Sequence, residues 1–447
     1  MKTAAIIAEY NPFHNGHKYQ IEETRRRTGA DFIAVVMSGD FVQRGAPAIY
    51  SKFLRTRSAL LSGADLVVEM PVFGSLSAAQ DFARCGISLF HHMGIIDVLS
   101  FGSEAGEIKK LQGLADQAGT ETEEQSDLIR KSLRSGLTYP QALALARKDS
   151  VPVSPNDILA VEYLKALKEF SSAVEPWTLK RSDPGYHSEG RDGSFASATA
   201  IRKAISAQDP DFLSAVLPDS HFESLQAESE VPLFPDDFSL LIEQKILTSA
   251  LEKIQSISGM PEDLAAKLYK NRLEFLRTDA LTAARKDRQY TYAKVSRALM
   301  NLMLDITDKD QRGFAACDYA PWVRILGFRK TSAALLSELK KHCDIPVIVK
   351  TADANEILSP EVYPLFEKNL TASEICRMVR ELKSGKVQKN EFTRSPIMIQ
   401  RTIAAIALPR IFIFVHRIYD VDASLFRFLF SAYLADTSSD CDGHWLE

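Results

Sequence analysis

The sequence holds little from which to build a disulfide framework or a zinc site. Its five cysteines, Cys85, Cys317, Cys343, Cys376 and Cys441, are odd in number and far apart, and no Cys-x-x-Cys occurs. Buried free thiols in a reducing compartment are the reading this leaves. No uninterrupted apolar run of about 18 residues is present, so no membrane-spanning helix and no membrane partner are expected. The N-terminus offers Lys2 and then a short apolar run broken by Glu9 and Asn11. That run is too short for a secretory signal and reads better as a buried strand, so the expected location is the cytoplasm. A strong charge of one sign is also missing. The net charge is −4 over 447 residues, so any nucleic-acid surface must be a local basic patch on a slightly acidic protein.

What is present is an ordinary globular composition and a chain long enough for two or three domains. Residues 3–9 are continuously small and apolar, as in a strand buried on both faces. A turn follows at Asn11-Pro12-Phe13, and His17 to Arg27 is helix-compatible. Phe32 to Met37 reads as a second strand, Lys52 to Ser62 as a helix and Ala64 to Met70 as a third strand. A helix near 78–93 precedes the strand Val98–Phe101. This alternation predicts an α/β fold with a parallel sheet covered on both faces. Ligands in such sheets bind beyond the carboxyl ends of the strands, where His14, Gly39, Asp40, Glu69 and Gly102 all fall.

The pattern changes after about residue 205. Residues 218–237 are acidic and proline-containing, which suggests a linker, assigned here to 211–237. Helical patterns then run through 238–242, 262–277 and 291–304, with strand-like runs at Val323–Leu326 and Pro346–Lys350. Within residues 401–447 the run IAAIALPRIFIFV is strongly apolar but interrupted by Pro409 and Arg410, and 401–447 is left unassigned.

Two short motifs carry chemistry. His14-Asn15-Gly16-His17 lies at a strand-to-helix junction, with two imidazoles on one side of the first turn and a glycine between them. It reads either as a phosphate site at a helix N-terminus or as two surface histidines in a polar turn. A metal site needs a third ligand that is not in view, and no metal-ligating side chains are assigned. Residues 194–204, SFASATAIRKA, place Ser197, Thr199, Arg202 and Lys203 around a helix start. They form either an anion cradle or an ordinary capped helix.

The two motifs together, in this order, resemble the HIGH-type nucleotidyltransferase superfamily. The segments 7–17 (IAEYNPFHNGH), 37–52, 100–104 (SFGSE), 154–167 and SATAIRK are similar to the bacterial tRNA(Met) cytidine acetate ligase family. The likeness is strong to about residue 210 and looser to about 400. It implies a Rossmann-like nucleotidyltransferase domain over 1–210 and a mainly helical, tRNA-binding domain over 238–400. It also implies an ATP-dependent ligase that joins acetate to AMP, releases pyrophosphate, and acetylates N4 of the wobble cytidine of elongator tRNA(Met).

Carried over residue by residue, the likeness puts ATP against Ile7, Ala8, Glu9, Tyr10, Asn11, Pro12, Phe13, His14, Asn15, Gly16, His17, Lys18, Tyr19 and Gln20. Gly102, Asn156 and Arg181 complete that set. His14, His17, Thr199 and Arg202 are the expected catalytic residues, acting on phosphate charge rather than as bases, with Mg²⁺ bridging the outer phosphates. On their own, Gly102 also reads as a tight turn, Asn156 as a helix cap and Arg181 as a solvated side chain. Arg44 and Lys52 are the cations near the 39–45 loop that suit a carboxylate such as acetate.

For RNA, residues 265–350 hold 17 Lys and Arg against 9 Asp and Glu. Arg285, Lys286, Arg288, Lys294 and Arg297 are interleaved with Tyr290 and Tyr292, a mixture suited to phosphates and unstacked bases. A solvated helix face remains the other reading. Two further functions stay open: a nucleotidyltransferase for a small phosphorylated metabolite, and a tRNA-binding module without catalysis.

Overall fold

In the computed structural model the N-terminal apolar run forms strand β1 (Thr3–Ala8), followed by β2 (Phe32–Ser38). A short hairpin, β3 (Phe41–Val42) and β4 (Ala46–Pro47), comes next, then β5 (Leu66–Met70), β6 (Val98–Ser103) and β7 (Glu175–Lys180). The structure describes residues 1–117, 154–181, 195–228, 230–287 and 289–400, with isolated positions between 127 and 145. Helices Asn15–Thr28, Lys52–Leu61 and Ala79–Met93 alternate with the strands as expected. β2 and β5 are buried almost throughout, which is why their sequences are apolar runs rather than alternating patterns. β7 lies at the sheet edge with one buried residue, Leu179, so the sequence carries no strand signal there.

The sheet has eight strands in the order β10 (Ile397–Ile399), β8 (Val323–Arg329), β5, β2, β1, β6, β7, with β9 (Val347–Ile348) paired to β8. From β5 to β7 all neighbours are parallel. Successive strands leave β1 on one side through β2 and β5, and on the other through β6 and β7. The strand order therefore reverses between β1 and β6, and such a reversal opens a crevice at the carboxyl ends. His14 and Gly102 flank that crevice.

Residues 238–400 do more than add helices. Ser239–Thr248, Glu262–Lys270, Thr278–Arg285 and Tyr292–Met303 are helical, matching the predicted pattern apart from a break within 262–277. The same stretch also supplies β8 (Val323–Arg329), β9 (Val347–Ile348) and β10 (Ile397–Ile399). β8 pairs antiparallel with β5, and β10 and β9 pair parallel with β8. One apolar core holds Val68 and Phe73 together with Phe238, Leu299 and Trp322. Residues 211–237, expected as a linker, are helical over Pro210–Val216 and Asp219–Glu228. Phe212, Leu213, Val216 and Phe222 recur at helical spacing and pack with Leu54 and Ile201, and that burial outweighs the acidic composition. Residues 401–447 and Arg288 lie outside the described residues. No helix among the described residues is long and apolar enough to cross a membrane.

A buried ionic cluster ties the late strands to the early ones. Lys52 is fully buried, with Nζ at 2.7 Å from Glu69 Oε1, 3.2 Å from Glu391 Oε1 and 3.7 Å from Asp40 Oδ2. Arg324 binds Glu69 at 2.8 Å and also Glu391, and Arg380 lies 3.5 Å from Asp40. Burial alone would raise the Asp40 pKa; Lys52, Arg380 and Arg55 hold it below the ordinary value. Three cations thus meet three carboxylates, and none of these charges is left uncompensated. Arg55, also buried, donates to the carbonyls of Glu9, Ser38, Gly39 and Tyr50 and thereby shapes the loops leaving β1 and β2.

Candidate active site

His14 is not inside the first helix but caps it. Its backbone is extended, and its Nδ1 accepts the Gly16 N–H at 3.1 Å. His17 Nδ1 reaches back to accept the His14 N–H at 3.3 Å. This is a reciprocal cap in which two imidazoles take the roles usually filled by Ser and Glu. The rings stack with centroids 3.7 Å apart. Burial lowers the His14 pKa to about 3, with Arg181, His221 and Arg202 adding to the effect. Burial also lowers His17, helped by His14 and Arg181. Both rings are therefore neutral at pH 7. Since each Nδ1 is an acceptor, each neutral ring carries its proton on Nε2. His14 Nε2 is buried and has no hydrogen-bond partner among the described residues.

The rings face a cleft of about 750 Å³. On its other side, Ser197 caps helix Ala198–Ser206 by accepting the Ala200 N–H at 3.1 Å. Arg202, one turn in, donates to the Asn11 carbonyl at 2.8 Å and to Thr199 Oγ1 at 3.1 Å. The guanidinium therefore bridges the loop before His14 and the second motif. The two motifs, more than 180 residues apart in sequence, line one cleft.

Of the residues expected to meet ATP, Ile7, Ala8, Glu9, Tyr10, Asn11, His14, Gly16, His17, Tyr19, Gln20, Gly102, Asn156 and Arg181 line this cleft, as do Ser197, Thr199 and Arg202. Pro12, Phe13, Asn15 and Lys18 do not. Pro12 and Phe13 are buried, and the Phe13 ring packs edge-on against Tyr10. Asn15 donates to the Ala215 carbonyl, and Lys18 is exposed on the outer face of its helix beside Glu22. Gly102 gives the Arg181 side chain room: a Cβ there would lie 3.2 Å from Arg181 Cδ, a tight contact that the arginine would have to shift to relieve. Asn156 is not the cap of its helix Pro155–Glu169; Ser154 is, and Asn156 donates to Glu104 at 2.6 Å. Lys203 is exposed and is not among the residues lining the cleft, and buried Lys52 is already paired with Glu69, so Lys52 is not placed to take acetate.

Sequence reasoning overlooked several wall residues. Phe82, Phe101, Leu159, Tyr163 and Leu179 form an apolar face, and Glu104, Lys180 and Phe195 add to the rim. Core-type residues carry no functional signal in a sequence, because a helix face covering a sheet has the same pattern whether or not a ligand touches its end.

Residues 1–391 match the HIGH Nucleotidyl Transferase family. The chain is 34% identical over 416 residues to the tRNA(Met) cytidine acetate ligase of Acetivibrio thermocellus, covering 89% of this chain and 100% of that one. The chain belongs to the tRNA(Met) cytidine acetate ligase family. The protein of the same name from Caldanaerobacter subterraneus is 35% identical over 403 residues, covering 88% of this chain and 98% of that one. The fold is that of Thermotoga maritima TmcAL crystallised with alpha-thio ATP, at a TM-score of 0.81 and 24% identity, covering 90% of this chain and 100% of that one.

In this member of the family the basic stretch is only partly free. Tyr290 and Tyr292 donate their hydroxyls to Asp263 and Asp279, each at 2.6 Å, and Lys294 Nζ sits 4.6 Å from the Tyr290 ring centroid. Arg285 is half-buried, Lys286 is exposed, and Arg297 donates to the Gln43 carbonyl at 3.1 Å. That last bond joins helix Tyr292–Met303 to the rim of the cleft, because Gln43 and Arg44 both line it.

Proposed function

We propose that the cleft makes acetyl-adenylate from ATP and acetate, then passes the acetyl group to N4 of the wobble cytidine of elongator tRNA(Met). The observation that carries this reading is the one cleft lined by His14 and His17, both neutral and protonated on Nε2, together with Arg202 and Thr199 at a helix start. One acetate oxygen bonds to the α-phosphorus while the bond to the bridging oxygen breaks and pyrophosphate leaves. Acetate is already ionised at neutral pH, so the step needs positioning and charge stabilisation rather than a base. The histidines hold the α-phosphate oxygens without adding charge of their own, and Arg202 with Thr199 takes the departing pyrophosphate. The apolar face around Phe101, Leu159 and Tyr163 suits the adenine ring, with Gly102 and Arg181 beside it.

In the second step the cytidine N4 attacks the acetyl carbon, AMP leaves with the bonding electrons, and the amine gives up a proton. The base must be splayed from its stack to reach the cleft. Mg²⁺ would neutralise charge on the outer phosphates. Among the described residues no group of three or more His, Cys, Asp or Glu side chains is placed to hold a metal, so the ion would travel on the nucleotide. A tRNA substrate puts the reaction in the cytoplasm. Transfer of a nucleotide to a phosphorylated metabolite is not favoured, since the similar curated proteins carry the acetate ligase name over their full length.

The test incubates the protein with ATP, acetate and a tRNA(Met) transcript and digests the RNA for mass spectrometry. N4-acetylcytidine at the wobble position is expected. Unmodified cytidine from folded, ATP-binding protein overturns the reading.

A further inference from the structure

The turn between β3 and β4 is held on both sides, and its central side chain, Arg44, is left exposed between the anchors. The Gln43 N–H donates to Glu9 Oε1 at 2.7 Å, fastening the turn to the end of β1. From the opposite side, Ser296 Oγ donates to the Gly45 carbonyl at 2.6 Å, and Arg297 Nη1 donates to the Gln43 carbonyl at 3.1 Å. Gly45 has φ +78°, and a Cβ there would lie 2.3 Å from the Arg297 nitrogen. Only glycine lets the turn press this closely on the helix. Between these anchors Arg44 is exposed on the rim of the cleft and makes no hydrogen bond or ion pair among the described residues.

A fixed backbone carrying a guanidinium with no hydrogen-bond or ion-pair partner among the described residues is organised in advance for an oxyanion. Two anions reach this rim in the proposed reaction, acetate and the RNA backbone. Arg44 is exposed, whereas a carboxylate nucleophile must sit in the enclosed part of the cleft beside the α-phosphate. Glu9 lies close enough to Arg44 to feel its charge, and a small carboxylate drawn inward past Arg44 would meet that acid. The helix behind the turn carries Lys294 and Arg297, three residues apart and close enough for their charges to interact. A strand lying along that helix and sending one base into the cleft must cross the Arg44 rim.

We propose that Arg44 binds a backbone phosphate of the acceptor RNA next to the nucleotide that enters the cleft, with Arg297 as the positioning residue that fixes its turn. The inference rests on the acetate ligase reading given above. It differs from the sequence-based expectation for both residues: Arg44 leaves the acetate pocket, and Arg297 acts through the Gln43 carbonyl rather than on RNA directly.

The experiment measures tRNA(Met) binding against salt, together with the acetate KM at saturating tRNA, for the wild type, R44A, R44K and R297K. R44A is expected to weaken tRNA binding about tenfold, the scale of one charged hydrogen bond, and to lower the log–log salt slope by about 0.7. Its acetate KM should stay within about twofold of wild type, a split that a general loss of folding would not produce. R44K should keep the salt slope and lose part of the affinity. R297K, which keeps the charge but not the directed bond to Gln43, should weaken binding with an unchanged slope. Unaltered tRNA binding in R44A overturns the proposal, and so does a raised acetate KM with normal tRNA affinity. If the wild type itself makes no N4-acetylcytidine, the functional reading has failed instead.

Discussion

At the residue scale, the two motif histidines do one job through two kinds of bond. Each spends Nδ1 on capping the helix and so carries its proton on Nε2, and both residues line the cleft. His17→Ala should slow acetate-dependent pyrophosphate exchange about a hundredfold, the usual cost of one lost oxyanion donor. A change of less than about threefold would mean the ring is structural only. Arg202→Lys should not rescue Arg202→Ala, because the guanidinium reaches the Asn11 carbonyl and Thr199 from two separate nitrogens of a planar fork, a spacing that a single ammonium nitrogen does not reproduce; exchange rates of the two variants decide it. The pH behaviour follows from burial. His14 and His221 are lowered to about 3 from the ordinary 6.5. Between those values the unfolded chain binds protons that the folded protein refuses. Stability therefore rises with pH across that window and is lost as pH falls from about 6.5. Calorimetry should show Tm falling between about pH 7 and pH 5, less steeply in His221→Gln. Exchange rates should show no inflection near 6.5 from His14 or His17.

At the element scale, the ionic cluster around Lys52 explains how the antiparallel strand β8 is held against β5. Lys52→Met removes one cation and leaves Glu69, Asp40 and Glu391 short of positive charge in the interior. Breaking a buried pair in this way costs about 3–5 kcal/mol, to be read from urea unfolding. A loss below about 1 kcal/mol would show that the cluster relaxes or admits water. The parallel strands were legible because strands covered on both faces must be mostly apolar, and 4–8, 32–37 and 98–101 are. The edge strand β7 and the three-residue β10 were not, since neither is long or buried enough to impose a pattern. Helices Pro210–Val216 and Asp219–Glu228 were hidden by composition: Pro210, Pro218 and several acids suggest a linker, while the sparse apolar positions that bury them decide the outcome.

At the scale of the whole molecule, the late strands make the chain hard to divide. β8 lies beside β5, and Arg324 on β8 neutralises Glu69 on β5. A chain ending at residue 237 would expose β5 as an open hydrophobic edge and strand Glu69. Expressed alone, residues 1–237 should aggregate or fail to bind ATP, which size-exclusion chromatography and nucleotide titration would show. A monomeric, ATP-binding fragment would mean that the first half completes its own sheet.

The sequence by itself determined the α/β class, the parallel strands nearest β1, and the two motifs proposed to handle phosphate, because each is written in local periodicity or in a few adjacent residues. Tertiary structure alone decided which residues around the motifs share the cleft. It moved Phe13, Asn15 and Lys18 off its surface and buried Lys52 among carboxylates. It also brought the basic helix to the rim through Gln43 and Gly45. Those outcomes depend on which side of an element faces its neighbour and on charges contributed from more than 200 residues away, and no local pattern records either.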